Sequence, residues 1–130
     1  MTDTEIIAQF EQSRAPGGSF HHTDHVRVAF AYLMSYPFLE AVEKFSAALK
    51  RFALAQGKPG LYHQTITWAY LFLIRERMAR AGESMSWEEF AERNPDLLIW
   101  NGGAVQRAYR EETLSSELAR RVFVLPDRRF

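Results

Sequence analysis

The segment LYHQTITWAYLFLI, residues 61–74, is the most apolar stretch of the chain. Its side chains are apolar around nearly the whole circumference of a helix until Arg75. The β-branched run at 65–67 would suit a strand, but the length of the segment and its lack of glycine and proline favour a helix. A helix that is apolar on all sides lies inside its domain. The pattern therefore predicts a central helix over about residues 61–81.

Further helices are predicted on both sides of this segment. Thr2 with Glu5, and Ser86 with Glu89, match the capping box, in which a hydroxyl and a carboxylate three residues later accept hydrogen bonds from each other's backbone N–H groups. Apolar residues then recur at helical spacing. The predicted helices cover residues 2–14, the histidine-rich segment up to Pro37, 38–56, 86–93, 104–110 and 114–121.

The linking segments carry turn residues. Residues 15–19 and 57–60 predict turns because they are rich in glycine and proline. Residues 122–126 predict an extended tail laid back on the core, and 97–100 have no clear preference. No pair of strands with a hairpin turn is indicated. The expected fold is all-α, a compact single-domain bundle of five to seven helices over residues 1–130.

The composition of the chain argues against several classes of function. Sixteen basic residues balance sixteen acidic ones, so no electrostatic footprint for nucleic acid or an anionic membrane is present. The longest apolar run is about ten residues, too short to span a bilayer. The chain has no cysteine, which excludes disulfides and thiolate metal sites. The acidic opening segment Met1–Glu5 does not resemble a signal peptide, and we expect a cytoplasmic protein.

Histidine carries the main chemical signal. Three of the four histidines lie in the segment FHHTDHVR, residues 20–27, and His63 opens the apolar segment. His22 and His25 are three residues apart, so both imidazoles share one face of a helix that begins here, with Thr23 or Ser19 as its N-cap. His63 offers a third nitrogen from another helix.

This pattern predicts a metal site formed by His22, His25 and His63. Three neutral imidazoles plus water leave an open coordination position, as in catalytic metal centres. All-nitrogen ligation suits zinc, copper, nickel or iron and argues against magnesium or calcium. His21 lies about 100° from His22 around a helix. It is an accessory candidate that a non-helical cap would bring to the same ion.

Two further side chains are candidates for roles at such a site. Asp24 is a potential partner of an imidazole N–H, although a stabilising charge in a first helical turn is the simpler interpretation. Tyr70 follows His63 by seven residues on the same helix face, where core packing is again the simpler interpretation.

The quoted motifs resemble those of a family of small bacterial proteins of uncharacterised activity. The segment 20–29 is similar to its F-x-H-x-D-H-[VL]-R-x-A pattern, and 57–67 to its G-x-P-G-x-Y-H-E-T-I-T pattern. An N-P-x-L motif at 94–97 and a V-x-P-D motif at 124–127 are also similar. The resemblance implies that His22, His25 and His63 recur, whereas His21 is variable. Gln64 replaces the usual glutamate, which makes it a further candidate site residue.

Two functional hypotheses follow from these patterns. The first is a metalloenzyme that acts on a small apolar or aromatic molecule, by oxidation with copper or iron or by hydrolysis with zinc. The second is a non-catalytic ligand-binding or protein-interaction domain whose histidines form a structural network. A pure metal carrier is a third option, for which an apolar helix is an unusual setting.

Overall fold

The computed structural model describes residues 1–14, 20–82 and 84–128. Over these residues the protein contains eight α-helices and no strand, which confirms the predicted all-α class. The chain divides into two compact units, Met1–Tyr62 and His63–Phe130. The helices are α1 (Asp3–Glu11), α2 (His22–Ser35) and α3 (Phe38–Ala55) in the first unit, and α4 (Gln64–Arg80), α5 (Trp87–Arg93), α6 (Ala104–Ala108), α7 (Glu111–Leu114) and α8 (Glu117–Arg121) in the second.

Some sequence predictions fall outside the described residues. These are the turn at 15–19, including Ser19 as an N-cap, and the last two residues of the basic C-terminal end. Within the described part of the chain, no helix combines the length and the apolarity that crossing a membrane requires.

The first unit packs α1, α2 and α3 around a cluster of aromatic rings. The ring of Phe10 stacks on those of Phe20, Phe45 and Phe52, with centroids 5.4, 5.8 and 5.2 Å away. The four rings come from α1, from the segment before α2 and from α3, so the cluster holds these elements together. The predicted apolar stripe of α3 is buried at Val42, Phe45, Leu49 and Phe52.

Polar contacts at the helix starts fix the geometry of the first unit. The capping box of Thr2 and Glu5 is present, with backbone-to-side-chain distances of 3.1 and 2.9 Å. Arg27 of α2 donates to the Asp3 carboxylate of α1 at 2.7 Å. The predicted N-cap of α2 at Thr23 is wrong. Thr23 lies inside the first turn, and the N-cap residue is His21.

The second unit is built on α4, which contacts α6 and α8. This helix begins three residues later than expected because Pro59–Leu61 form a separate 3₁₀ turn. Leu71 and Ile74 are fully buried, but Phe72 is 41% exposed. The prediction that α4 is enclosed on all sides is therefore too strong, and one apolar side chain of its middle turn stays accessible.

The unassigned stretch after α5 is ordered by an ion pair. The capping box of Ser86 and Glu89 starts α5 as predicted, and a 3₁₀ turn over Pro95–Leu97 follows it. Arg77 of α4 makes two bonds to the Asp96 carboxylate, at 2.6 and 2.8 Å, and a third to the Asn94 side chain at 3.1 Å. Bidentate pairs of this kind fix orientation as well as distance. Leu97, next in the chain, is thereby held in the core.

The helix predicted over 114–121 begins later, as α8, and a separate short helix that was not predicted, α7, ends at Leu114. Ser116 separates them, because its hydroxyl accepts from the Ala119 N–H at 3.1 Å and donates to the Thr113 carbonyl at 2.7 Å. A serine that caps the start of a helix competes with continuation of the preceding one. The unpredicted α7 accounts for the eighth helix.

The C-terminal tail is extended and lies on the second unit, as predicted. The Thr65 hydroxyl of α4 donates to the Val122 carbonyl at 2.8 Å and accepts from the Val124 N–H at 3.0 Å. The buried Tyr109 hydroxyl donates to the Val124 carbonyl at 2.7 Å. Asp127 completes the attachment by accepting from the Arg110 N–H at 2.8 Å. The tail is therefore held by side chains and by backbone bonds to Ala108, without strand pairing.

We expect Thr65→Val to destabilise the protein by about 1–3 kcal/mol, because the valine would remove two part-buried hydrogen bonds that hold the tail. The free energy of unfolding from urea titration measures this loss. Thr67→Val is the matched control, since Thr67 is a similarly buried threonine of the same helix, and we expect a smaller change. Equal losses in the two variants would contradict the assigned role of the Thr65 hydroxyl.

Candidate functional site

His63 uses both of its ring nitrogens in hydrogen bonds within the second unit. It is the N-cap of α4, where Nδ1 accepts from the Ile66 N–H at 3.1 Å. Nε2 lies 2.8 Å from the Leu114 carbonyl oxygen. Because a carbonyl can only accept, Nε2 must carry the proton, and the imidazole is in its neutral Nε2–H form. In this arrangement neither nitrogen offers a lone pair to a metal ion.

The environment keeps His63 neutral. The side chain is buried, and burial lowers its pKa below the usual 6.5. The bond to Leu114 acts in the opposite direction, and the nearby positive charge of Arg120 lowers the pKa further. A neutral ring is what the cap requires, because protonated Nδ1 could not accept from Ile66.

His22 and His25 lie together in the first turn of α2, as their spacing predicted. Burial and, next, the neighbouring His22 lower the pKa of His25 from 6.5 to about 4, while Asp24 acts in the opposite direction. The His25 ring packs on Phe20, with centroids 4.1 Å apart. Phe20 also contacts Phe52, at 4.6 Å. His25 is therefore an unprotonated imidazole at the edge of the aromatic cluster of the first unit.

His21 and Asp24 form the start of α2. The Asp24 carboxylate accepts from the His21 backbone N–H at 2.8 Å, and the His21 Nδ1 lies 3.6 Å from the same oxygen. The His21 side chain is 78% exposed. Asp24 thus acts mainly as a helix-capping carboxylate, in line with its simpler interpretation, and the imidazole it approaches is that of His21.

Gln64 and Tyr70 both belong to α4. Gln64 is the first residue of the helix and is half-buried. Tyr70 is buried, and this burial, together with the negative charge of Asp96, raises the pKa of its hydroxyl above the usual 10. Tyr70 therefore stays protonated at neutral pH, which is unsuitable for a general base.

Among the residues at 1–14, 20–82 and 84–128, no three His, Asp or Glu side chains are grouped so that they could hold one metal ion. The metal site of His22, His25 and His63 therefore remains a prediction. Its first two members are neighbours, and its third is committed to two hydrogen bonds.

The second unit also contains an apolar groove of about 360 Å³, which the histidine pattern did not reveal. It lies along the exposed side of α4 and is closed by α6 and the tail. Phe123 lines it, with its ring centroid 5.3 Å from that of Phe72. Among its described lining residues only Glu76 is charged. The apolar lining includes Phe72, Leu73, Val105, Ala108, Phe123 and Leu125.

Several of the motif residues have a structural role in the described contacts. Phe20 packs in the aromatic cluster, and Asp24 caps α2. Thr65 holds the tail, Asn94 donates to the Phe90 carbonyl at 2.9 Å, and Asp127 accepts from Arg110. The motifs therefore mark helix caps and tail attachments, which explains their spacing without requiring an active site.

No protein-family profile, curated protein or solved structure matches this chain. The resemblance to the bacterial family stays a prediction, and the functional assignment depends on the site itself.

We expect the free energy of unfolding to fall as the pH drops from 6.5 to about 4, by up to about 1.4 kcal/mol per pH unit for His25. The pKa of His25 is lower in the folded state, so the unfolded chain takes up the proton first as the pH falls. Above pH 6.5 the imidazole is neutral in both states, and the free energy of unfolding does not change on this account. His63, whose pKa is also lowered, adds to this fall.

Urea titrations at several pH values measure the dependence. His25→Phe keeps an aromatic ring beside Phe20 but cannot titrate, so its stability should depend less on pH. His21→Gln alters an exposed imidazole and should keep the wild-type dependence. An unchanged pH dependence in His25→Phe would contradict the assignment.

Proposed function

We propose that the protein is a non-catalytic binding domain that holds a small, uncharged apolar or aromatic molecule in the groove of its second unit. The observation that carries the proposal is the groove itself, an accessible cavity of about 360 Å³ with an almost entirely apolar lining. Small-molecule sites are concave and mostly apolar, with few polar groups. The histidines then serve as caps and packing groups, and the composition favours a cytoplasmic setting.

The aromatic side chains in the lining favour a ligand with a ring. Phe72 and Phe123 both line the groove, and the ring centroid of Phe123 is also 6.0 Å from that of Trp68. Aromatic side chains prefer offset or edge-on contacts with other rings. Glu76 is the one charged side chain described in the lining, and it disfavours an anionic ligand at this position.

Fluorescence titration with N-phenyl-1-naphthylamine, a neutral apolar probe, tests the groove. We expect saturable binding to the wild type and at least a tenfold loss of affinity in Ala108→Phe, because the added ring would fill the cavity. Ala104→Phe places the same ring on the same helix at a position outside the lining, and its affinity should stay within twofold. Loss of binding in neither variant, or equally in both, would contradict the proposal.

A metal-dependent enzyme acting on the same class of molecule is the second candidate. The observation that favours it is the proximity of His22 to His25, with His25 held unprotonated and therefore able to donate a lone pair. His63 could join as a third ligand only by giving up its bond to the Leu114 carbonyl or to the Ile66 N–H. Copper or iron would support oxidation, and zinc would support hydrolysis.

Elemental analysis after incubation with zinc or copper and desalting tests this candidate. A metal centre predicts about one bound ion per chain, lost in His22→Ala and retained in His21→Ala, whose side chain is exposed. His63→Asn preserves the capping of α4, since asparagine is a good N-cap; loss of metal in this variant would show that His63 leaves its hydrogen bonds to ligate. Equal metal content in wild type and His22→Ala would exclude the site.

A further inference from the structure

The second unit contains a larger cavity, of about 710 Å³, beside the start of α4. Its walls come from the α4 N-terminus, the segment around Trp100, α6, and the segment from α7 to α8. Tyr109 lines both this cavity and the apolar groove. The two spaces therefore share a buried tyrosine in their linings, and the linings differ in charge.

Three arginines and one glutamate line this larger cavity. The basic residues are Arg107, Arg120 and Arg128, and the acidic one is Glu111. His63, the remaining titratable group that could add charge, is held neutral by its cap and its bond to Leu114. The described lining therefore carries a formal surplus of two positive charges in a chain whose net charge is zero.

The arginines are anchored at different points of the unit. Arg107 has one nitrogen 3.6 Å from the Asp96 carboxylate, which Arg77 also binds. The Arg128 N–H donates to the Ala108 carbonyl at 3.1 Å, which fixes its backbone at the end of α6. Arg120 belongs to α8 and acts electrostatically on His63. Positive charge thus reaches the cavity from three separate segments of the chain.

Neutral side chains in the lining add hydrogen-bond donors to these positive charges. The Gln106 side-chain oxygen accepts from the Gly102 N–H, so its amide NH₂ group is the part available as a donor. Trp100 contributes an indole ring, with an N–H donor and an apolar face. Guanidinium groups bind carboxylates and phosphates through paired hydrogen bonds.

We propose that this cavity is a binding site for a small oxyanion, the carboxylate or phosphate group of a metabolite, with Arg120 and Arg128 as its principal ligands. The site is separate from the apolar groove and does not depend on the function proposed there. The anion would sit near His63 and Trp100, where it would offset the surplus positive charge. Asp96 lies beside Arg107 and offsets part of the charge of that arginine.

An NMR titration of the indole N–H signals tests the site. The chain has three tryptophans, and Trp100→Phe identifies the signal of the residue that lines the cavity. Sodium phosphate and sodium benzoate are added separately at constant ionic strength. We expect a saturable shift of the Trp100 signal with at least one anion, while Trp68 and Trp87, which are outside the lining, shift little. A response to phosphate alone or to benzoate alone supports the site and identifies the preferred oxyanion.

Charge variants then locate the ligands. Arg120→Gln and Arg128→Gln should each raise the dissociation constant at least tenfold. Arg120→Lys, which keeps the charge without the paired geometry, should have an intermediate effect. Arg121→Gln is the matched control, because Arg121 lies on α8 next to Arg120 and is exposed like it, but does not line the cavity. No saturable shift with either anion, or an equal loss in Arg121→Gln, would overturn the proposal.

Discussion

The second unit depends on the first turn of α4, where two buried side chains bind the backbone of remote segments. His63 caps the helix and reaches the Leu114 carbonyl, and Thr65 binds both Val122 and Val124. A buried polar group left without a partner costs more free energy than a formed bond contributes. Each of these bonds therefore constrains the chain strongly. This single turn positions the segment before α8 and the tail. Both segments contribute to the linings of the two cavities.

The same constraint changes the interpretation of the histidines. A histidine can serve as metal ligand, base, cap or packing group, and sequence spacing alone does not distinguish these uses. His63 is the N-cap of α4 and makes a second hydrogen bond, His25 packs on Phe20, and His21 is the N-cap residue of α2. The features that favour a ligand are instead two cavities, one with an almost wholly apolar lining and one with three arginines in its lining.

Signals between residues close in the chain predicted the local structure correctly. The capping boxes at Thr2 and Ser86 were predicted because the interacting groups are only three residues apart. The N-cap of α2 was misassigned to Thr23, whose hydroxyl is typical of a cap. The helix instead starts after His21, whose backbone N–H donates to the Asp24 carboxylate. The bond between Arg77 and Asp96 spans nineteen residues and had no signal in the periodicity of the chain.

By itself the sequence determined the all-α class, most helix boundaries and the pairing of His22 with His25 on one turn, because these depend on contacts between residues close in the chain. Only the tertiary structure decided how His63 and Thr65 use their polar atoms, and which apolar and basic side chains line common spaces. Phe72 and Phe123, or Arg107 and Arg120, are unremarkable in sequence. They become sites only when folding brings distant segments together, since a cavity is a property of packing and not of any one stretch of chain.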